Sequence, residues 1–197
     1  MSRLGLPRRG DRGLPMPLLL VDGPAGSGKT TFAEAVTRRF DSSDLPTVFR
    51  LAARRLPMLQ LWRGGQLLSM DEFYPGWGGL QQGQRMLVED LLVPLSQGRP
   101  LTLRRWDWQR SRPAGLIEVS RSVPLVVEGC GALTARSRRF ADFSVWVQAN
   151  GEVRRQRALE RDGALFAAHW DRWLSQERGH WQDNDPQSLA DATIDVN

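Results

Sequence analysis

One cysteine, one tyrosine, two histidines and a single lysine are spread over 197 residues, and each scarcity excludes something. The lone Cys130 forms no internal disulfide and suits a reducing compartment, so a cytoplasmic location is expected. The longest apolar run, Leu18 to Val21 with its neighbours, is far too short to cross a bilayer, so no membrane partner is expected. The stretch from Met1 to Pro17 is basic and rich in Gly and Pro. It lacks the apolar core of a secretory signal. His169 and His180 share one helical stretch without metal-ligand spacing, and neither receives a role. There is no internal repeat, low-complexity segment or interdomain linker. Residues 1–16 read as a flexible tail and 17–197 as one domain.

What is present is ordinary in bulk, with 41% hydrophobic and 25% charged residues, and long enough to bury a full core. The charge of +5 is carried unusually: of 27 basic residues only Lys29 is a lysine. A compact ammonium and a planar guanidinium are not interchangeable, so the one lysine marks a place that needs it. The arginines fall in scattered pairs, such as Arg104 with Arg105 and Arg154 with Arg155, with no long basic run or zinc-finger spacing. That pattern argues for a solvated surface over a nucleic-acid footprint.

The apolar run at Leu18–Val21 suits a parallel strand buried on both faces, and Thr30 to Phe40 has helical spacing. Thr47 to Leu51 reads as a second strand. Gly64-Gly65 reads as the turn of a hairpin between Met58–Trp62 and Gln66–Met70. Leu80 to Gln97 is helical, with Pro94 expected to kink or shorten it. Strands are expected at Leu101–Trp106 and Leu116–Ser120 around a loop, then at Pro124–Val127, Ala141–Gln148 and Ala192–Val196. Helices are expected over Glu152–Arg161 and Ala164–Trp181. Strands alternating with helices imply a parallel sheet covered on both faces.

Gly23-Pro24-Ala25-Gly26-Ser27-Gly28-Lys29-Thr30 fits G-x-x-x-x-G-K-[ST] and sits between a strand and a helix. Converging backbone amides need glycines that accept positive φ, and the helix that follows adds its free N–H groups and positive dipole end. Gly23, Ala25, Gly26, Ser27, Gly28, Lys29, Thr30 and Thr31 are therefore the candidate phosphate cradle of a nucleoside triphosphate. Lys29 neutralises the terminal phosphates and the Thr30 hydroxyl ligates Mg²⁺.

Three further segments bear on the chemistry. In Asp71-Glu72-Phe73-Tyr74-Pro75-Gly76-Trp77 a carboxylate leaves a strand end, where it can take the proton of an attacking hydroxyl. Tyr74 and Trp77 can wall a flat substrate. Val126-Val127-Glu128 is an apolar strand ending in an acid that can hold Mg²⁺ directly or through water. Arg154, Arg157 and Arg161 lie on one helical face and can close over phosphates. Glu177 faces the Trp170/Trp173 stripe of the last long helix, where it could meet a substrate.

This combination resembles the uridine kinase family and its phosphoribulokinase-like and nucleoside-kinase-like relatives: the glycine-rich turn, Asp71-Glu72-Phe73-Tyr74, the strand ending Glu128-Gly129, and the Arg154/Arg157/Arg161-Asp162 spacing. The similarity covers roughly residues 17–195. It implies an α/β, three-layer P-loop NTPase fold with a five-stranded, mainly parallel sheet and an arginine-bearing lid, using ATP with Mg²⁺. By resemblance Asp71 is the catalytic base and Lys29 and Arg161 complete the catalytic set. Arg154 and Arg157 hold the nucleotide, and Tyr74, Trp77, Trp106, Asp107 and Arg112 lie on the acceptor side. Arg110 and Arg112 stand where uridine kinases carry a histidine that holds the base, and the arm from Asp107 to Ser120 is short.

The expected activity is transfer of the γ-phosphate of Mg-ATP to a hydroxyl of a small molecule, first of all a nucleoside. A nucleoside monophosphate or other metabolite kinase is the alternative, with Arg105, Arg110 and Arg112 reading an anionic acceptor. A regulatory or nucleic-acid-associated ATPase is the alternative of another class. ATP and a small-molecule acceptor are the expected partners, and a homo-oligomer stays open.

Overall fold

The computed structural model describes residues 13–38, 47 and 55–196, with the side chains of 161–166 outside the description. Strand β1, Leu18–Asp22, is buried at every position. It lies at the centre of a five-stranded sheet of order β2-β5-β1-β6-β7, where β2 is Gln66–Ser69, β5 Leu125–Glu128, β6 Phe143–Gln148 and β7 Ala192–Asp195. Every pairing is parallel. Such a strand is flanked on both sides and covered on both faces, which is why its sequence is a continuous apolar run rather than an alternating one.

The alternation shows instead in where successive residues point. Leu19 and Val21 face a layer containing Phe32, Ala33 and Val36 of helix α1, Lys29–Thr37. Leu18 and Leu20 face the opposite layer. That layer is built from α2 (Leu80–Met86), a π-helical turn over Leu87–Leu92, α3 (Val93–Ser96), α4 (Ala135–Arg138), α5 (Gly151–Ala167), α6 (Trp170–Asn184) and α7 (Pro186–Leu189). Its core includes Leu87, Leu91, Leu95, Ala158 and Trp173. The result is the three-layer α/β/α architecture expected. Leu14 and Met16 also pack on this core, just before β1.

Several local expectations differ from the structure. Thr47 is helical rather than in a strand, and 48–51 lie outside the described residues, as does Phe40. Met58–Trp62 belongs to a 3₁₀ helix, Pro57–Trp62, so there is no hairpin across Gly64-Gly65. Pro57 supplies the fixed φ of a helix start, and the two buried residues, Leu59 and Trp62, are three apart, the 3₁₀ period. The segment Leu80–Ser96 is not one regular α-helix: it widens into the π turn over Leu87–Leu92 just before Pro94. Pro94 has no N–H for the Asp90 carbonyl, and Thr102 N–H donates to that carbonyl at 3.3 Å. The second sheet is an antiparallel hairpin of β3, Arg104–Asp107, and β4, Arg112–Leu116, turning at Ser111 with φ 48°. The expected strand Leu116–Ser120 therefore begins too late. The long helical stretch after residue 151 breaks at His169, between α5 and α6. Among the described residues no helix is long and apolar enough to cross a membrane.

Candidate active site

β1 sits where strand order reverses, and the crevice at the carboxyl ends of such strands is where ligands collect in open α/β sheets. The glycine-rich turn leaves β1 there. Gly23 and Gly26 have φ of 150° and 75°, and a Cβ on them would meet Val147 O at 2.0 Å and Arg154 O at 2.2 Å. Neither position admits a side chain, so the turn is wedged between the end of β6 and the start of α5.

Asp22, the last residue of β1, is fully buried and anchors the base of the turn. Its Oδ1 accepts the amides of Gly23 (2.6 Å) and Gly131 (3.0 Å), and its Oδ2 accepts the amide of Leu133 (2.8 Å). His180 Nε2 meets Oδ2 at 3.0 Å. Sequence reasoning passed over Asp22, although an acid closing an apolar strand was the signal used for Glu128.

Lys29 is 8% exposed, with Nζ on the Pro24 carbonyl at 3.0 Å and the Cys130 sulfur at 3.6 Å. Among the described residues no carboxylate lies within ion-pairing distance of it. Burial alone would lower its pKa. The sulfur of Cys130 and the carboxylates of Glu128, Glu177 and Asp22 outweigh that and leave it raised, so the ammonium stays charged. A buried charge without an ion pair is costly, and an incoming anion relieves that cost.

Lys29 opens on a cavity of about 380 Å³. Ala25, Gly26, Thr30, Asp71, Tyr74, Trp77 and Glu128 also line it. Thr30 Oγ1 donates to Glu128 Oε1 at 3.2 Å, so the two candidate metal residues meet directly. Burial raises the Glu128 carboxyl above its usual value of 4.5, with Asp71 adding to the rise and Lys29 opposing it. Among the described residues no group of three or more His, Cys, Asp or Glu could hold a metal. Asp71 lies in a short 3₁₀ turn, Met70–Glu72, immediately after β2. The Tyr74 hydroxyl donates to the Cys130 carbonyl at 2.5 Å, so its ring forms wall while its oxygen is already engaged.

Two indoles that sequence reasoning missed as site residues complete the cavity, Trp108 and Trp173. Trp108 lies 5.0 Å from Trp77 between ring centroids and donates Nε1–H to the Asp71 carbonyl at 2.8 Å. Trp108 lies in the turn just after β3, so strand periodicity gave no signal for it. Trp106, Asp107 and Arg112 do not line the cavity. Asp107 caps the hairpin turn, where the backbone and side-chain hydrogen bonds of Arg110 hold its carboxyl below the usual range. Arg105 is paired with Glu72, and Arg112 is exposed on β4.

Gly23, Ser27 and Gly28 form the turn without lining the cavity, and Thr31 points outward on α1. Arg154 Nη1 reaches the Ala25 carbonyl at 3.4 Å and Glu177 Oε2 at 3.6 Å. Arg157 instead donates to the Val196 carbonyl at 3.3 Å. The Arg161 side chain lies outside the described residues.

A three-layer α/β/α sheet with a glycine-rich turn and an invading helix N-terminus after its central strand defines the class of P-loop NTPase folds. Among solved structures, a possible uridine kinase from Bacillus stearothermophilus superposes with a TM-score of 0.54 over 91% of this chain and 89% of that one, at 20% identity. That likeness is one of fold. A shikimate kinase from Acinetobacter baumannii aligns at a TM-score of 0.46 and 17% identity, over 92% and 84% of the two chains, and adds nothing to the fold assignment. No protein-family model matches the chain, and no curated protein matches it.

Proposed function

We propose that the chain is an ATP-dependent kinase that transfers the γ-phosphate to a hydroxyl of a small molecule, a nucleoside before others. The observation that carries this reading is Lys29: a buried ammonium with no carboxylate ion pair among the described residues, facing a cavity it shares with Asp71. The glycines and amides of residues 23–30 would hold the phosphates, with Lys29 on the terminal ones and Arg154 close to the apex of the turn. Thr30 and Glu128 would hold magnesium together with the nucleotide, and the ion supplies neutralisation of phosphate charge. Asp71 would accept the hydroxyl proton as the acceptor oxygen bonds to phosphorus and ADP leaves. Trp77 and Trp108 put indole rings in the cavity wall against which a base would pack, and the name of the Bacillus stearothermophilus neighbour points the same way.

An anionic acceptor fits less well. Arg105 and Arg110 are engaged by Glu72 and Asp107, and neither they nor Arg112 lines the cavity. The deciding measurement is ADP release with Mg-ATP across a panel of nucleosides, nucleoside monophosphates and sugars. Nucleoside-dependent release supports the reading, release with monophosphates alone supports the metabolite-kinase alternative, and release indifferent to every acceptor leaves an ATPase.

A further inference from the structure

Glu177 is 1% exposed and lies one layer behind the cavity, which it does not line. The three groups that bond its Oε1 all do line it: the Ala25 amide (2.6 Å), the Cys130 thiol (3.2 Å) and the Trp173 indole (3.1 Å). Its Oε2 faces Arg154 Nη1 at 3.6 Å, and that guanidinium also donates to the Ala25 carbonyl at 3.4 Å. Ala25 is therefore gripped twice from one carboxylate on α6, through its N–H directly and through its C=O by way of Arg154.

The arrangement suits an ionised carboxylate. Its Oε1 accepts three hydrogen bonds and its Oε2 faces a guanidinium, and the side chain offers nothing to donate. A buried charge of this kind is tolerated when it is both hydrogen-bonded and paired, and here the hydrogen-bonding groups come from the glycine-rich turn, the loop after β5 and α6 itself. Gly26, next to Ala25, is pressed against the Arg154 backbone, so the pair also fixes where α5 begins.

We propose that Glu177 is a positioning residue of the transfer site, holding the apex of the glycine-rich turn and the Arg154 guanidinium in one fixed arrangement. The proposal rests on the kinase reading, and it gives Glu177 no contact with substrate. A neutral amide at position 177 keeps an acceptor for the Ala25 N–H but loses the charge that holds Arg154. The loss should therefore appear in the chemical step more than in nucleotide binding.

The test is a double-mutant cycle of Glu177→Gln and Arg154→Gln, read on ADP release and on affinity for a fluorescent ATP analogue. Glu177→Gln is expected to lower kcat about 10- to 100-fold while the KM for ATP moves less than about threefold. The double variant should be little worse than either single one, because both remove the same arrangement. Additive losses, or an unchanged kcat in Glu177→Gln, overturn the proposal. Should Glu177→Gln not fold, Glu177→Asp, which keeps the charge on a shorter arm, must fold and retain part of the rate. Failure of that variant to fold makes Glu177 a stability residue and also overturns the proposal. If the wild type binds the analogue but releases no ADP with any acceptor, the kinase reading fails. The cycle is then read on affinity, where a double variant no worse than the weaker-binding single one sustains the positioning role and additive losses end it.

Discussion

His180 and Asp22 meet at 3.0 Å beneath the glycine-rich turn, each side chain 1% exposed. The other ring nitrogen, Nδ1, receives the amides of Gln84 at 2.9 Å and Asn184 at 3.2 Å. With two side-chain amides on Nδ1, Nε2 is the ring nitrogen placed to donate to the carboxylate. α6 is thereby tied to the central strand by His180 at the base of the turn, and to the turn itself by Glu177 at its apex.

His180→Leu removes one of the four donors to a buried carboxylate and is expected to cost about 2–3 kcal/mol. Urea denaturation should show a lower midpoint at unchanged slope. A midpoint equal to wild type would mean that the three backbone amides satisfy Asp22 alone.

Much of the central architecture was readable beforehand. Leu18–Val21 and Leu125–Val127 are buried on both faces and read as apolar runs, and the glycine-rich turn has a spacing that its backbone demands. The hairpin β3–β4 was misplaced because its strands are mostly exposed and carry no burial period. Leu59 and Trp62 are both buried, but three residues apart, a signal that a search for alternation misses. Glu177 could be placed beside Trp173 by helical spacing, since the two are one turn apart. Nothing local could reveal that its partner is Ala25, 152 positions away.

Lys29→Ala should abolish nucleotide-induced thermal stabilisation, and Lys29→Arg should not restore it. A guanidinium is too large and planar for a pocket closed by the Pro24 carbonyl and the Cys130 sulfur. With ATP at about 100 times its Kd, wild type should gain roughly 2.7 kcal/mol, which differential scanning fluorimetry reports as a raised Tm. Equal stabilisation of the Arg variant would show that any cation suffices.

Asp71→Asn separates binding from chemistry. If Asp71 takes the hydroxyl proton, kcat should fall by about 10²–10⁴ while ATP-analogue affinity stays within a few-fold of wild type. Full turnover in this variant would remove Asp71 from the mechanism.

Glu128 carries a pH signature. Its folded pKa is raised above the usual 4.5, chiefly by burial, so across that window the native state holds a proton that the unfolded chain has released. The contribution of this group to stability therefore falls as pH rises from its unfolded pKa through its folded one. Glu128→Gln should be more stable than wild type above that window and lose the difference below it, as urea titrations from acid to neutral pH would record. The same variant should lose magnesium-dependent nucleotide binding.

Gly26→Ala and Gly64→Ala together separate backbone strain from contact. Both glycines have positive φ, 75° and 68°, so each substitution carries a left-handed penalty of roughly 1–2 kcal/mol. At Gly64 nothing lies within 4 Å of the added carbon, and the penalty should be the whole effect. At Gly26 the carbon would sit 2.2 Å from the Arg154 carbonyl oxygen, which is backbone and cannot rotate away. Relief requires the start of α5 to retreat from the turn, taking Arg154 away from Glu177 and the Ala25 carbonyl. Gly64→Ala should therefore lower stability and leave ATP-analogue affinity untouched, whereas Gly26→Ala should lower both, the affinity by about tenfold or more. Equal affinity in the two variants would show that the turn tolerates displacement of α5, and that the close packing at Gly26 serves folding rather than the nucleotide.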